Sequence, residues 1–346
     1  MDSLDTQIET ILNGQPLSQD IPVICDYNPW DLFSRSVTAV IFNEDMDVLM
    51  VQESKSGSRG KWSLPAGKVD PNEQIIDAIR REVLEESGLE IEATDLVVID
   101  TFGYNFRFTF SGHVIGGQLK TVANKHSIEA KWCSQTAIKS LNLRYEDTMD
   151  LVNVVRNHNI SLAMDPWRRP HFTAIGAHNR MLLRVVFTVR RKQNNRQYVL
   201  ISRLPFPHLP VCAMHEKHNL KSILTDFLKE KLIKKYPVDS LLGVLSVEHN
   251  GVPRSPQDSP HDGLCITVLA KSRVPYEGMG RICGDYEWMQ MSPSLEALLT
   301  RCLDNPNTEL IQWRPKFWCK RPSKRRTNRS SHSKNMDKLS AQIAAL

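Results

Sequence analysis

The chain has no apolar run of about 18 residues, the length a membrane-crossing helix needs, so no membrane span is expected. It also has no CxxC pair. Its seven cysteines, Cys25, Cys133, Cys212, Cys265, Cys283, Cys302 and Cys319, are scattered and odd in number, which argues against a disulfide framework or a thiolate zinc site and for reduced thiols. The eleven histidines show no metal-site spacing either; His113 and His126 read as ordinary strand and loop residues. Residues 1–21 carry Asp2, Asp5 and Glu9 and lack a basic start followed by an apolar centre, so neither a secretory signal nor a transit peptide is expected. A cytosolic or nuclear chain fits these absences.

What is present is a globular composition. With 346 residues, 41% hydrophobic and 24% charged, the chain can build two domains of ordinary size around substantial cores. The net charge of +5 is modest and unevenly placed. From Gln312 onward the chain turns basic, through Arg314, Lys316, Lys320, Arg321, Lys324, Arg325, Arg326, Arg329 and Lys334. Such a run reads as a solvated or sorting tail. Trp313, Phe317 and Trp318 keep nonspecific nucleic-acid contact open as the alternative.

The richest stretch is Gly67 to Leu89, GKVDPNEQIIDAIRREVLEESGL. Asp70, Pro71 and Glu73 predict a capping-box helix start, and Gly88 predicts the stop. At about 100° per residue, Ile76, Ile79 and Val83 fall on one stripe and Glu82, Glu85 and Glu86 on the next. A solvated charged face would also give acidic residues at such spacing. The full pattern decides against it: Gly67, Glu73, Arg81, Glu82, Glu85, Glu86 and Gly88 at fixed intervals have a chance of about 10⁻⁸ per window at ordinary residue usage.

This stretch resembles the Nudix box at every defining position: Gly67, five residues, Glu73, seven residues, then Arg81-Glu82-Val83-x-Glu85-Glu86-x-Gly88-Leu89. The resemblance implies an α/β fold, an α/β/α sandwich, and an enzyme that hydrolyses nucleoside diphosphate derivatives with Mg²⁺ or Mn²⁺. It implies Glu82 and Glu86 as main metal ligands, Glu85 beside them, and an added contact from the Gly67 carbonyl. Arg81 would orient the glutamates and Glu73 would brace the loop-helix junction. Hard divalent cations favour carboxylate oxygens and keep open positions for phosphate, which agrees with these residue types. In this family a further carboxylate often comes from a distant loop as base or ligand. Glu129 lies near the expected place, although His126 and Ser127 stand nearer the usual register, and an exposed strand-end glutamate is the alternative.

The base or linked group of a small-molecule nucleotide must be held elsewhere. Trp62, Ser63 and Leu64, just before the box, are candidates. Glu146 and Asp147 open the last helix of this region. Asp147 suits either a helix cap or an acceptor for a purine edge. Phe102, Tyr104, Phe106, Phe108 and Phe110 alternate with polar residues and mark one face of a strand, as core or as a stacking wall.

We read residues 1–34 as a poorly ordered extension with a short helix over Leu4 to Leu12. Residues 35–160 read as the catalytic domain, 161–177 as a linker, 178–305 as a degenerate Nudix-like or unrelated α+β domain, and 306–346 as a basic tail. SVTAVIFN and DVLMVQES read as a hairpin. Five phrases recur in order in the second half: VVFTVRR after AVIFNED, YVLISR after VLMVQE, HLPVCA after SLPAGK, LCITVLAKS after FRFTFSGHV, and a Trp288 phrase after the Trp132 phrase. This suggests duplication. In the second copy Cys212 stands for the loop glycine, and Asp226, Phe227 and Lys231 stand where Arg, Glu and Glu are wanted; Glu230 alone survives. One carboxylate among lysines cannot hold a divalent ion, so a lid, dimer surface or structural role is expected there.

WSLPAGKV, PHLPV and HDGLCITVL further resemble the animal Nudix subfamily that converts 8-oxoguanine nucleoside diphosphates to monophosphates. Hydrolysis of ADP-ribose, a dinucleotide, coenzyme A or capped RNA is the alternative, and a non-catalytic nucleotide sensor a third.

Overall fold

Valine- and isoleucine-rich runs recur in both halves of the chain, and several of them, among them Val48–Glu53, Gln197–Ser202 and Leu264–Lys271, become strands buried on both faces. The structure is a computed structural model that describes residues 3–17, 34–102, 105–165, 168, 170–178, 180–214, 219–231, 241–252 and 263–315. In order, the first half supplies α1 (Leu4–Leu12), β1 (Ser34–Ile41), β2 (Val48–Glu53), β3 (Trp62–Ser63), β4 (Ala66–Lys68), α2 (Ile75–Ser87), β5 (Leu89–Phe102), β6 (Asn105–Gly117), β7 (Ser127–Cys133), α3 (Gln135–Ser140) and α4 (Thr148–Met164). The second half supplies β8 (Thr173–Ala174), β9 (Met181–Arg190), β10 (Gln197–Ser202), β11 (Val211–Ala213), α5 (Leu220–Lys231), β12 (Leu241–Glu248), β13 (Leu264–Lys271), β14 (Tyr286–Gln290), α6 (Pro293–Asp304), α7 (Pro306–Glu309) and β15 (Gln312–Pro315).

Strand β1 is the pivot of the first half, parallel to β6 and antiparallel to β4, while β6 pairs antiparallel with β5. A smaller sheet joins β2 to β3 and β7. The second half repeats these connections: β9 is parallel to β13 and antiparallel to β11, β13 pairs antiparallel with β12, and β10 pairs with β14. Gly67 sits opposite Val37, and Cys212 opposite Leu183. Trp132 faces Leu49 and Trp288 faces Leu200. Helices α2 and α5 contribute their apolar faces to one core cluster, through Ile75, Ile79 and Val83 in one and Ile223, Leu224 and Phe227 in the other.

Four local readings change. The turn at Glu44 to Met46 closes with a single bridge, Phe42 to Val48, after which β1 and β2 enter different sheets. Both strands need cover on two faces, which a lone hairpin cannot give. Helix α1, capped by Ser3 Oγ at 3.1 Å from the Thr6 N–H, is not a loose lead-in. Its Leu4, Ile8 and Ile11 share a stripe buried with Val199, Leu295 and Leu299. Helix α4 continues to Met164, into the segment read as linker. Finally β15, read as the start of the tail, pairs parallel with β5 and edges the catalytic sheet. The rest of the tail, from Lys316, and Tyr104 lie outside the described residues. No helix among the described residues is long and apolar enough to cross a membrane.

Candidate active site

The turn before α2 is set by the backbone. Asn72 adopts φ of 62°, which no helix tolerates, so the helix begins at Ile75 behind Gln74, with no side-chain cap bond, rather than at Pro71. The Asp70 N–H still donates to Glu73 Oε2 at 2.9 Å, closing the expected box as a turn. Glu73 serves Arg81 instead of a helix end. Arg81 donates to it through Nε at 2.7 Å and Nη2 at 2.8 Å, to the Lys68 carbonyl at 2.9 Å and to Glu82 Oε1 at 2.9 Å. Burial pulls the Glu73 carboxyl up, but the Arg81 and Asp70 hydrogen bonds outweigh it and hold it below its ordinary range. One guanidinium thus ties loop, strand and helix together.

Glu82 and Glu86 lie against β4. A Cβ on Gly67 would fall 1.8 Å from Glu82 Cδ, so this carboxylate occupies the space a side chain would take. The Ala66 N–H donates to Glu86 Oε2 at 3.0 Å. Glu86 is 4% exposed. Its carboxyl is pushed up to about 8, first by burial and then by the charges of Glu82 and Glu53, against the Ala66 hydrogen bond. Burial, with the Glu85 charge added, also raises Glu82 despite Arg81. Crowded, desolvated carboxylates of this kind are stable when a cation or proton joins them. Glu85 Oε2 is 3.1 Å from His126 Nδ1, and Ser127 Oγ donates to the Glu86 carbonyl at 2.5 Å. Glu129 is exposed on β7 opposite Gln52, so His126 and Ser127 are the residues of this segment that reach the box helix.

A cleft of about 390 Å³ opens beside Gly67 and Glu82 and runs past Lys55, Leu64 and Arg144 to Asn105, Arg107 and Asp147. Of the three residues before the box, Leu64 lines it. Trp62 is buried beneath Lys131, whose Nζ is 4.1 Å from the ring centroid, and Ser63 is buried with its hydroxyl donating to Glu53. Asp147 makes no cap bond; its carboxylate pairs with Arg107 and, at 3.5 Å, with Arg314. Glu146 is exposed. Phe106, Phe108 and Phe110 are buried in the core cluster, which assigns that face to packing.

Sequence reasoning missed Glu53, Arg107, Arg144 and Arg314. Glu53 ends β2 with its side chain 3% exposed, paired with Arg144. Its Oε2 is buried without a hydrogen-bond partner among the described residues. A glutamate closing a strand that opens with four apolar residues, Val48 to Val51, was the available signal. A second cluster of ligand-type atoms, His178, Glu248 and Cys265, lies in the second half. There Arg184 already neutralises Glu248, His178 Nε2 is 2.8 Å from it, and burial pushes the Cys265 thiol up to about 12. That set is an ion pair with a protonated thiol, unsuited to a cation.

An arginine-braced helix presenting three glutamates beside a glycine loop, over an open cleft on a mixed sheet, defines a hydrolase of phosphoanhydride bonds. The NUDIX domain model matches residues 32–152. The human protein named 8-oxo-dGDP phosphatase NUDT18 is 33% identical over 241 residues, 67% of this chain and 71% of its own. The zebrafish (Danio rerio) protein of that name is 30% identical over 80% of this chain and 85% of its own. A solved NUDIX hydrolase from Nitrosomonas europaea is 29% identical, covering 40% of this chain and 93% of its own, with a TM-score of 0.34. The chain belongs to the Nudix hydrolase family.

Proposed function

We propose that this enzyme converts 8-oxoguanine nucleoside diphosphates, ribo- or deoxyribo-, to the monophosphate and orthophosphate. The names borne by relatives of similar length support the substrate class. The observation that carries the chemistry is the placing of Glu82 and Glu86 against Gly67 and Ala66, with Glu86 raised to about 8 by burial and like charge. This donor set of hard oxygens fits Mg²⁺ or Mn²⁺. Glu82 and Glu86 would hold the ion, with Glu85 beside them and the Gly67 carbonyl adding a contact. When bound, the ion supplies charge neutralisation at the phosphates and a lowered pKa for an attacking water. The chain's own residues do the rest. Arg81 keeps the glutamates in register, Lys55 and Arg144 line the cleft where phosphate oxygens are laid, and Leu64, Asn105, Arg107 and Asp147 lie at the end suited to the base.

Residues 35–160 would form the catalytic domain and 178–305 a second copy of the fold that lacks the acids. Five free cysteines among the described residues suit a reducing compartment, the cytosol or nucleus. Phosphorus NMR of 8-oxo-dGDP with Mg²⁺ tests the reading. Metal-dependent monophosphate and orthophosphate are expected, and inertness towards every nucleoside diphosphate overturns it. The basic segment keeps a reading of RNA-linked pyrophosphate hydrolysis in view. Deletion from Lys316 onward, which spares β15, should leave small-nucleotide turnover unchanged and weaken only a salt-sensitive RNA activity.

A further inference from the structure

Four charged side chains form one network at the base end of the cleft. Asp100, on β5 and wholly buried, accepts from Arg107 Nε at 2.9 Å and Nη2 at 2.7 Å through one oxygen, and from Arg314 Nε at 2.8 Å through the other. Arg107 and Arg314 both also reach Asp147 Oδ2. Each of the two guanidinium groups thus bridges both carboxylates. Arg107 and Asp147 line the cleft, whereas Arg314 stands behind them on β15.

Strand β15 is held from both halves of the chain. Ile311 exchanges backbone hydrogen bonds with Val244 of β12 at 2.9 and 3.0 Å. The next residues pair with β5, placing Arg314 opposite Asp100, and Trp313 Nε1 donates to Thr101 Oγ1 at 2.9 Å. The segment that closes the second half therefore carries one corner of the charge network behind the first half's cleft.

Without Arg314, buried Asp100 would lose the guanidinium on its Oδ1, and Asp147 one of the two guanidinium groups that reach its Oδ2. Asp100 is the more buried, so it holds Arg107 more strongly. Arg107 would turn towards it and away from Asp147, and both groups facing the nucleotide base would change place. We propose that Arg314 is a positioning residue for base recognition, acting through Arg107 and Asp147, so that the second half of the chain sets the specificity of a site it does not line. This rests on the nucleotide reading above, and the experiment separates the two.

The test is a double-mutant cycle on turnover of 8-oxo-dGDP and a panel of other nucleotides, with Arg314→Met, Asp147→Asn and the pair. The expected result is a KM raised about tenfold by Arg314→Met, with kcat within about twofold. The double variant should be no worse than Asp147→Asn alone, because both changes break one network. Arg314→Lys, which keeps charge but loses the forked geometry, replaces Arg314→Met in the cycle should the latter not fold. An unchanged KM with a lowered Tm, or additive effects in the cycle, overturns the inference while leaving 8-oxo-dGDP turnover standing. The same Arg314 dependence on a different nucleotide, with 8-oxo-dGDP inert, supports the inference and overturns the substrate assignment alone. A chain that turns over no nucleotide overturns both.

Discussion

Helices α2 and α5 follow the same strand in two sheets of like connectivity, and each packs an apolar stripe into the same core. Their solvent-side chemistry is opposed. In the first, Gly67 faces Val37 and leaves room for the Glu82 carboxylate, while Glu86 is sealed against Ala66. In the second, Cys212 takes the glycine's place, its Sγ 3.7 Å from the Leu183 carbonyl. Phe227 then packs edge-on to Tyr286 at 5.9 Å, and Lys231 lies 5.7 Å from the same ring. Loop and helix therefore differ together. A glycine is needed where a carboxylate fills its Cβ space, as Glu82 does at Gly67. An apolar stripe is thus common to both helices, whereas the crowded acids, with the glycine that leaves a gap for them, accompany α2 alone.

The largest effect should come from closing that gap. In Gly67→Ala the new Cβ would displace the end of a flexible side chain, so the fold should survive and the Glu82 carboxylate should not keep its place. Gly67→Ala and Glu82→Gln should each lower kcat/KM by about a thousandfold, since a metal ion at reacting phosphate is worth several kcal/mol. Circular dichroism and Tm should stay near those of the parent. A loss below tenfold in Gly67→Ala would mean that Glu82 is not needed where it lies.

The next effect concerns stability. A carboxyl raised to about 8 from an ordinary 4.5 contributes stability fully present below pH 4.5 and lost as the pH climbs through 8. Metal-free protein should therefore weaken between pH 5 and 8 on account of Glu86. Glu86→Gln, though inactive, should melt about 5 °C higher than the parent at pH 8 without metal, and no higher at pH 4. Adding Mg²⁺ should stabilise the parent and leave the variant unmoved. Calorimetry in buffers of different ionisation enthalpy should show proton release on metal uptake at pH 7. Identical melting of parent and variant at pH 8 would falsify the strained-carboxylate account.

Much of this site was legible because its spacing is local. Gly67, Glu73, Arg81 and the three glutamates lie within one loop and one helix, so helical spacing aligns Arg81 with the glutamates and a short loop brings Gly67 and Glu73 to them. The repeated strands were legible for a similar reason, since alternation and Trp position survive when catalytic acids do not. Glu53, Arg107 and Arg314 were not legible. Their meaning depends on pairings that join β2 to β3, β5 to β6, and β5 to a strand more than two hundred residues away. Arg314 in particular stands at the head of a basic run, where composition argues for solvent and only the register of β15 puts it behind the cleft. The start of α2 escaped for a smaller reason. The Asp70 N–H does donate to the Glu73 carboxylate, and the Glu73 N–H returns to the Asp70 backbone carbonyl, but the left-handed Asn72 separates this turn from the helix.

The smallest effects test the one position at which both helices carry glutamate. Glu85 contacts Arg81 at 3.5 Å and His126 at 3.1 Å, and its side chain is one-third exposed beside the buried pair. Glu85→Gln keeps the shape and removes a charge from the rim, so a loss of about tenfold in kcat is expected, with KM for nucleotide little changed. Glu230 has its side chain 69% exposed and pairs only with neighbouring Lys231 among the salt bridges of α5. Surface pairs of this kind contribute little, so Glu230→Gln should move neither kcat nor KM, and Tm by no more than about 2 °C. Measured side by side, the two substitutions ask whether a shared residue type carries a shared role. Equal losses would show that α5 still touches the reaction and that the second sheet is more than scaffold, whereas an effect in α2 alone follows from the different neighbours each glutamate was given.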